Sequence, residues 1–94
     1  MKPLKILWTG QFKKDYILAM KRGLDIGLLD DVIRTLANGE SLPEKYSDHA
    51  LTGNWKGYRE CHIQPNWLLI YRIEKDVLVL TLQRTGTHSD LFGM

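Results

Sequence analysis

The second half of the chain constrains the fold most, because three strand-like runs follow one another there with only short turns between them. The runs are Trp55–Ile63, Trp67–Ile73 and Val77–Arg84, separated by Gln64-Pro65-Asn66 and Glu74-Lys75-Asp76. Both separators are compatible with hairpins between antiparallel strands. A chain of 94 residues can bury only one core of modest size. These runs therefore predict an antiparallel meander that supplies much of that core.

The first half of the chain predicts one strand and two helices. Leu4–Trp8 is a short apolar run that is typical of a strand. Thr9 can cap a helix that ends near Gly23, and Asp25 can cap a second helix that ends at Asn38-Gly39. The order β-α-α-β-β-β predicts an α+β domain in which a helical hairpin packs on one face of an antiparallel sheet. We expect the other face of the sheet to be open.

Two polar features of the meander invite a functional interpretation. Alternation along its first strand places four polar side chains on one face, namely Lys56, Tyr58, Glu60 and His62. From the pattern alone this is a solvated strand face, but such a face can also contact phosphate and share protons. Arg84 falls by strict alternation on the side of Leu80 and Leu82, so we expect either an exposed strand end or a bulge that redirects it. The segment Glu40–Asn54, which contains His49, predicts a loop.

Charge and cysteine content narrow the class of protein. Thirteen basic and eleven acidic residues give a net charge of +2, which allows a local nucleic-acid-binding patch without establishing one. Cys61 is the single cysteine, so no internal disulfide is possible and a reducing compartment fits. The first apolar run is too short for a signal peptide, and no run has the length of a membrane span. We therefore expect a cytoplasmic protein.

Two blocks of sequence resemble a known family. Residues 48–71 read Asp-His-Ala-Leu-Thr-Gly-Asn-Trp-Lys-Gly-Tyr-Arg-Glu-Cys-His-Ile-Gln-Pro-Asn-Trp-Leu-Leu-Ile-Tyr, and residues 84–92 read Arg-Thr-Gly-Thr-His-Ser-Asp-Leu-Phe. Together they resemble the YafQ branch of the RelE-type toxins of bacterial toxin–antitoxin systems, and the likeness spans nearly the whole chain.

The resemblance implies a fold, an activity and a set of partners. The fold is a small α+β domain that is similar to microbial ribonucleases. The activity is a ribosome-dependent endoribonuclease that cuts messenger RNA in the decoding site of the small subunit, without a metal or other cofactor, and so inhibits translation. The expected partners are the ribosome, messenger RNA and a cognate antitoxin protein. Operator DNA is expected to be bound only through the antitoxin complex, and no membrane is involved.

The resemblance also assigns roles to residues. Family active-site positions fall on seven residues of this chain: His49, Glu60, His62, Asn66, Arg84, His88 and Phe92. We expect His88 to act as general acid, Arg84 to bind the phosphate, and either His49 or His62 to act as base while Glu60 orients the histidines. Lys56, Asn66 and Phe92 are expected to bind substrate. Asn66 departs from the family, which has aspartate there, and an amide cannot titrate.

Three other interpretations stay open at this point. A decayed toxin fold, acting only as an antitoxin-bound repressor or on another target such as gyrase, would need none of this chemistry. A metal site built from Cys61 and the three histidines is disfavoured, because Cys61 and His62 point to opposite faces of a strand. Arg84 could simply pair with Asp76 or Glu74, and Trp67 and Tyr71 could be core residues rather than surfaces on which bases stack.

Overall fold

The computed structural model describes residues 3–93, which form two long helices packed on a five-stranded sheet. In chain order the elements are β1 (Lys5–Trp8), α1 (Gly10–Lys21), α2 (Ile26–Ala37), β2 (His49–Ala50), β3 (Arg59–Gln64), β4 (Trp67–Glu74), β5 (Val79–Gly86) and α3 (His88–Phe92). The predicted α+β architecture and the helical hairpin are confirmed. No helix within residues 3–93 has the length and apolarity that a membrane span needs.

The strands lie in the order β1-β5-β4-β3-β2, and the sheet is mixed rather than antiparallel throughout. The meander β3-β4-β5 is antiparallel as predicted, whereas β1 pairs in parallel with β5, with Lys5 opposite Val79 and Trp8 opposite Leu82. The helical hairpin and the first two strands of the meander lie between β1 and β5 in the sequence. β4 pairs with one edge of β5, and β1 pairs with the other edge. This long crossover is what makes the pair parallel.

Both long helices begin where the sequence predicts. The Thr9 hydroxyl accepts a hydrogen bond from the Phe12 N–H at 3.0 Å, and the Asp25 carboxylate accepts one from the Gly27 N–H at 3.1 Å. Their apolar faces pack on one side of the sheet to form the main core. Its buried members include Phe12, Ala19, Leu29, Val32, Leu36, Cys61, Trp67, Leu69, Tyr71, Leu80 and Leu82.

The region before β3 differs from the prediction in two ways. The strand begins at Arg59 rather than Trp55, because residues 53–55 form a short 3₁₀ helix and Gly57 has a φ of +95°, which extended backbone does not allow. The predicted loop 40–54 contains the two-residue strand β2, in which His49 pairs with Glu60. Lys56 and Tyr58 therefore lie outside the strand.

The sheet face opposite the long helices is only partly open. A second cluster of apolar side chains, centred on Leu68, Ile70 and Leu91, lies there, and α3 and the segment before β3 cover it. The remaining members pack around it at partial burial, namely Leu51, Trp55, Tyr58 and Phe92. This second cluster is the floor on which α3 rests.

Candidate active site

Three histidines form a row on the face of the sheet that carries the second cluster. His62 lies on β3 and alternates with Cys61 and Ile63, which point into the main core. Its ring centroid is 6.4 Å from that of His49 on β2 and 5.8 Å from that of His88 on α3. Three elements that are distant in the sequence thus bring together the histidines that the resemblance singled out.

The Glu60 carboxylate lies beside two members of this row, His62 and His49. Its side chain is only 6% exposed, and Oε1 is 3.3 Å from Nε2 of His62 and 3.6 Å from Nε2 of His49. The register of β2 against β3 explains the second contact, because His49 is the direct cross-strand neighbour of Glu60. A buried carboxylate, which can only accept hydrogen bonds when it is ionised, thus faces Nε2 of two imidazoles.

His49 is held through Nδ1, while its Nε2 faces Glu60. Nδ1 lies 2.7 Å from the Ser47 carbonyl oxygen, which can only accept, so Nδ1 carries the proton. The residue before it, Asp48, is tied to the sheet, because its carboxylate accepts hydrogen bonds from the Arg59 guanidinium at 3.3 Å and from the Tyr71 hydroxyl. Burial and the Asp48 carboxylate raise the pKa of Tyr71 well above its usual range, so this anchor stays protonated.

His88 is oriented by Asn66 from the β3–β4 turn. The side-chain oxygen of Asn66 accepts from the His88 backbone N–H at 3.3 Å and lies 2.9 Å from His88 Nδ1. Because the backbone N–H needs an acceptor, the amide oxygen must face His88, and Nδ1 must then donate to it. Among residues 3–93, no hydrogen-bond partner lies at Nε2 of His88. An amide performs this hydrogen-bonding task as a carboxylate would, although it brings no charge.

Arg84 is redirected by a β-bulge, one of the two outcomes expected from its position. The β4–β5 register shifts between Ile70 and Tyr71, so Arg84 lies opposite Ile70 on the face of the second cluster. Its Nε and Nη2 donate to the Asp15 carboxylate of α1 at 2.8 and 3.2 Å. The partner is therefore Asp15, not Asp76 or Glu74. Three of the five guanidinium N–H groups remain for another ligand.

Asp15 is a buried carboxylate that no pattern in the sequence singles out. Beyond Trp8 the edge of β5 has no strand beside it, and α1 passes there instead. The Asp15 carboxylate accepts from the buried Thr85 N–H at 3.2 Å as well as from Arg84, and from Gln11 at 3.1 Å. Its hydrogen bonds raise the pKa of Arg84, which therefore stays charged.

The other predicted contact residues have different surroundings. Phe92 is half-buried beside Trp55, with ring centroids 6.4 Å apart and the rings at 85°. Lys56 is exposed and outside β3. The suggestion that Trp67 and Tyr71 could stack on bases is wrong, because they are 2% and 1% exposed within the main core.

Two features bear on metal binding. Cys61 lies in the main core on the other side of the sheet from His62, and burial raises the pKa of its thiol well above the usual value, so it is not part of the row. Glu60, His62 and His88 each place a ligand atom within 4.8 Å of the others. Two imidazoles and a carboxylate form a donor set that suits Zn²⁺ or Cu²⁺.

The row lies at the surface of the molecule. A groove of about 980 Å³ beside Asp48, Arg59 and Tyr71 is lined by none of the three histidines, whereas a second groove, of about 550 Å³, is lined in part by His62. His49 is 51% exposed on its side chain and His62 28%. The arrangement offers proton donors, proton acceptors and fixed cations to a ligand that is held from above.

Sequence reasoning missed the residues that hold the row in place. Asp15, Asp48 and Arg22 sit in segments with no local signal for their distant partners. Asp90 follows Thr87 by three positions, a Thr-x-x-Asp spacing that is typical of a capping box, and the structure contains one. That motif does not predict the hydrogen bonds of Asp90 with Arg22 of α1.

Comparison with known proteins gives consistent results. A family model described as the bacterial toxin of type II toxin-antitoxin system, YafQ, matches residues 4–93. The mRNA interferase toxin YafQ of Escherichia coli K12 is 45% identical over 89 residues, which are 94% of this chain and 95% of that protein.

Two solved structures are also similar over nearly their full length. The crystal structure of the E. coli DinJ-YafQ toxin-antitoxin complex contains a chain with 43% identity and a TM-score of 0.89, covering 97% of this chain and 99% of that one. A metal-bound toxin from Helicobacter pylori has 44% identity and a TM-score of 0.88, covering 95% and 99%. The fold, the extent of the family match and the identity to its members agree with the resemblance drawn from residues 48–71 and 84–92, and the chain belongs to the YafQ family of bacterial toxins of type II toxin-antitoxin systems.

Proposed function

We propose that this chain is an mRNA interferase, an endoribonuclease that cleaves messenger RNA by attack of the ribose 2′-hydroxyl on the adjacent phosphorus. The observation that carries the proposal is the pair His62 and His88, whose rings lie 5.8 Å apart and whose other contacts leave a different nitrogen available on each. Such a pair supplies a proton acceptor and a proton donor to one phosphodiester.

His62 is the general base in this mechanism. The Glu60 carboxylate beside Nε2 can only accept, so it favours the tautomer with the proton on Nε2 and the lone pair on Nδ1. No residue of the described chain forms a hydrogen bond with His62 Nδ1, which is therefore available to take the 2′-hydroxyl proton. His49, with Nδ1 on the Ser47 carbonyl oxygen and Nε2 facing Glu60, takes no proton in this mechanism.

His88 is the general acid. Its Nδ1 donates to Asn66, so the imidazolium presents its second N–H at Nε2 to the leaving 5′-oxygen. The departure at Asn66 does not remove this role, because the acceptor oxygen is retained. Atoms and charge balance: the proton taken from the 2′-oxygen resides on His62, His88 gives one to the 5′-oxygen, and the products are a 2′,3′-cyclic phosphate and a 5′-hydroxyl.

Arg84, Lys56 and Phe92 bind the RNA around the reacting phosphate. Arg84 is held by Asp15 but keeps three N–H groups, which suits a phosphate whose negative charge increases in the transition state. Phe92 beside Trp55 offers an aromatic face for a base. Lys56 adds an exposed positive charge.

The proposed reaction requires no metal. Glu60, His62 and His88 could hold one, and a bound metal would supply Lewis-acid chemistry. The same ion would occupy lone pairs on which the acid–base mechanism depends. We therefore expect a metal at this position to inhibit cleavage, and the metal-bound relative from H. pylori is compatible with such a site.

The proposed partners are the ribosome and an antitoxin. The histidine row lies at the surface, where His49 is 51% exposed on its side chain, so we propose that the decoding site of the small subunit supplies the orientation of the flexible RNA. Such a location makes the protein cytoplasmic. By analogy with the DinJ-YafQ complex, we propose that a cognate antitoxin binds and silences this chain and that only the complex contacts operator DNA.

The test is induced expression of the wild type, His88→Ala and a control, Lys75→Ala, in bacteria without the antitoxin, with message ends mapped by primer extension. Lys75 lies in the exposed β4–β5 turn and outside the row. We expect growth arrest and cuts in translated messages from the wild type and the control, and neither from His88→Ala. A reporter without a start codon should remain uncut.

Each other result has a defined meaning. Cleavage by His88→Ala at the wild-type rate would overturn the mechanism. Arrest without cuts would indicate another target, such as gyrase. Absence of arrest by a folded wild-type protein would favour the decayed, repressor-only alternative. Cleavage of the untranslated reporter would refute the ribosome dependence alone.

A further inference from the structure

We propose that Arg22 and Asp90 form a positioning pair that fixes His88 for catalysis. The inference rests on the proposed role of His88 and adds two residues to it. Arg22 ends α1, and Asp90 lies two residues after His88 on α3. Their side chains form a bidentate ion pair, with Nη1 2.6 Å from Oδ2 and Nη2 3.2 Å from Oδ1.

The helix that carries His88 is too short to hold itself in place. α3 spans five residues, His88–Phe92, and a helix of that length is not stable without tertiary contacts. Its anchors are the buried Leu91 in the second cluster, the Asn66 oxygen at the His88 N–H and ring, and the Arg22–Asp90 pair. Of these three anchors, only the Arg22–Asp90 pair joins α3 to one of the long helices.

The Asp90 carboxylate links the first turn of α3 to α1. Oδ2 accepts from the Thr87 N–H at 3.0 Å, while the Thr87 hydroxyl accepts from the Asp90 N–H at 3.1 Å, which is a complete capping box. The same oxygen accepts from Arg22 at 2.6 Å. A shift of Arg22 would therefore move the turn that contains His88.

Gly86 leaves space for the Asp90 carboxylate in this arrangement. A Cβ on Gly86 would lie 2.9 Å from Oδ2 of Asp90 and 3.0 Å from its Cβ, so only glycine fits there without displacing the carboxylate. The Arg22 guanidinium, together with the Thr87 N–H, also holds the pKa of Asp90 well below its usual range, so the carboxylate is ionised wherever the enzyme works. The geometry, not the charge alone, is what orients α3.

The Arg22–Asp90 pair is partly exposed, so its effect on catalysis can be distinguished from its effect on overall stability. The Arg22 side chain is 40% exposed and that of Asp90 26%, so loss of the pair should change overall stability little. Catalysis is far more sensitive, because a displacement of about 1 Å can lower a rate on the order of a hundredfold. A change in activity without a matching change in stability is thus the expected signature.

The experiment compares Arg22→Gln and Arg22→Lys with a matched control, Arg34→Gln. Arg34 forms an exposed ion pair with Asp31 within α2, at 2.9 Å, and is remote from α3 along the chain. The readouts are ribosome-dependent cleavage, thermal unfolding, and long-range ¹H–¹⁵N correlations of the His88 ring, which report the Nδ1–H tautomer set by Asn66.

We expect Arg22→Gln to lower cleavage at least about tenfold, in kcat rather than KM, and to weaken the single-tautomer signature of His88 while that of His49 stays unchanged. Arg22→Lys, which keeps the charge, should recover part of the rate. Arg34→Gln should match the wild type in all three readouts. Asp90→Asn tests the other partner and should reproduce the His88 signature of Arg22→Gln.

The positioning pair and the proposed function are overturned by different outcomes. If His88→Ala is inactive but Arg22→Gln cleaves within about twofold of the wild type with an unchanged His88 spectrum, the positioning pair is refuted and the proposed function stands. If His88→Ala cleaves normally, the proposed function fails whatever Arg22 does. A loss of cleavage in Arg22→Gln that unfolding alone accounts for would also refute the positioning role.

Discussion

Replacement of Asp15 by asparagine should destabilise the protein strongly, although Asp15 lies in none of the family's active-site positions. Its side chain is 7% exposed and that of Arg84 is 23% exposed, and Asp15 also satisfies the Thr85 N–H. Removal of one partner from a buried ion pair costs about 3–5 kcal/mol. Since Arg84 keeps some contact with water, we expect about 2–3 kcal/mol, or a Tm lowered by about 10–20 °C.

The assay is a double-mutant cycle over Asp15→Asn, Arg84→Gln and the double variant, with stability measured by urea and thermal unfolding. We expect the two single changes to be non-additive, with a coupling energy of about 1–3 kcal/mol. The matched control is the exposed pair Asp31 and Arg34, both side chains 68% exposed, for which coupling should stay below about 0.5 kcal/mol. Equal coupling in the two cycles would refute the claim that Asp15 anchors Arg84.

Three further predictions concern the site and its supports. Asn66→Ala should lower cleavage at least about tenfold, because His88 loses its acceptor, whereas Asn66→Asp should retain activity; single-turnover cleavage distinguishes them. The lowered pKa of Asp90 adds stability that is complete above the unfolded value of about 3.9 and is lost as pH falls through the folded value. The Tm difference between the wild type and Asp90→Asn should therefore be constant above about pH 5 and narrow below about pH 4. Zn²⁺ should inhibit cleavage reversibly, with chelator restoring it and His62→Ala weakening the Zn²⁺ affinity measured by calorimetry.

The local parts of the fold were predictable because their signals are local. Thr9 and Asp25 cap helices through contacts two or three residues away, and apolar runs with turn residues between them specify the meander. The strand β2 escaped prediction because two residues carry no periodicity. The start of β3 was misplaced because Trp55 and Tyr58 have side chains typical of strands, while the backbone turns at Gly57.

The candidate site was predictable in its reacting groups and not in its supports. The resemblance selected His49, His62 and His88, and the structure places them in one row. That these residues carry the chemistry stays a prediction. The partners that hold them are remote in sequence: Asp15 and Arg84 are 69 positions apart, and Arg22 and Asp90 are 68 apart. Nothing in a local pattern joins such pairs, because only the complete fold brings them together.

The parallel pairing of β1 with β5 joins the first strand of the chain to the last. The four residues of β1, near one end of the chain, must meet β5, the last strand of the meander, and such distant pairing carries a loop-closure cost. A chain that has formed only its helical hairpin and the β3–β4 hairpin already holds His62, yet has no docked α3 to carry His88 to it. Such a half-folded molecule lacks one of the two histidines of the proposed acid–base pair. Cleavage by the proposed mechanism therefore requires the last strand and α3 to be in place.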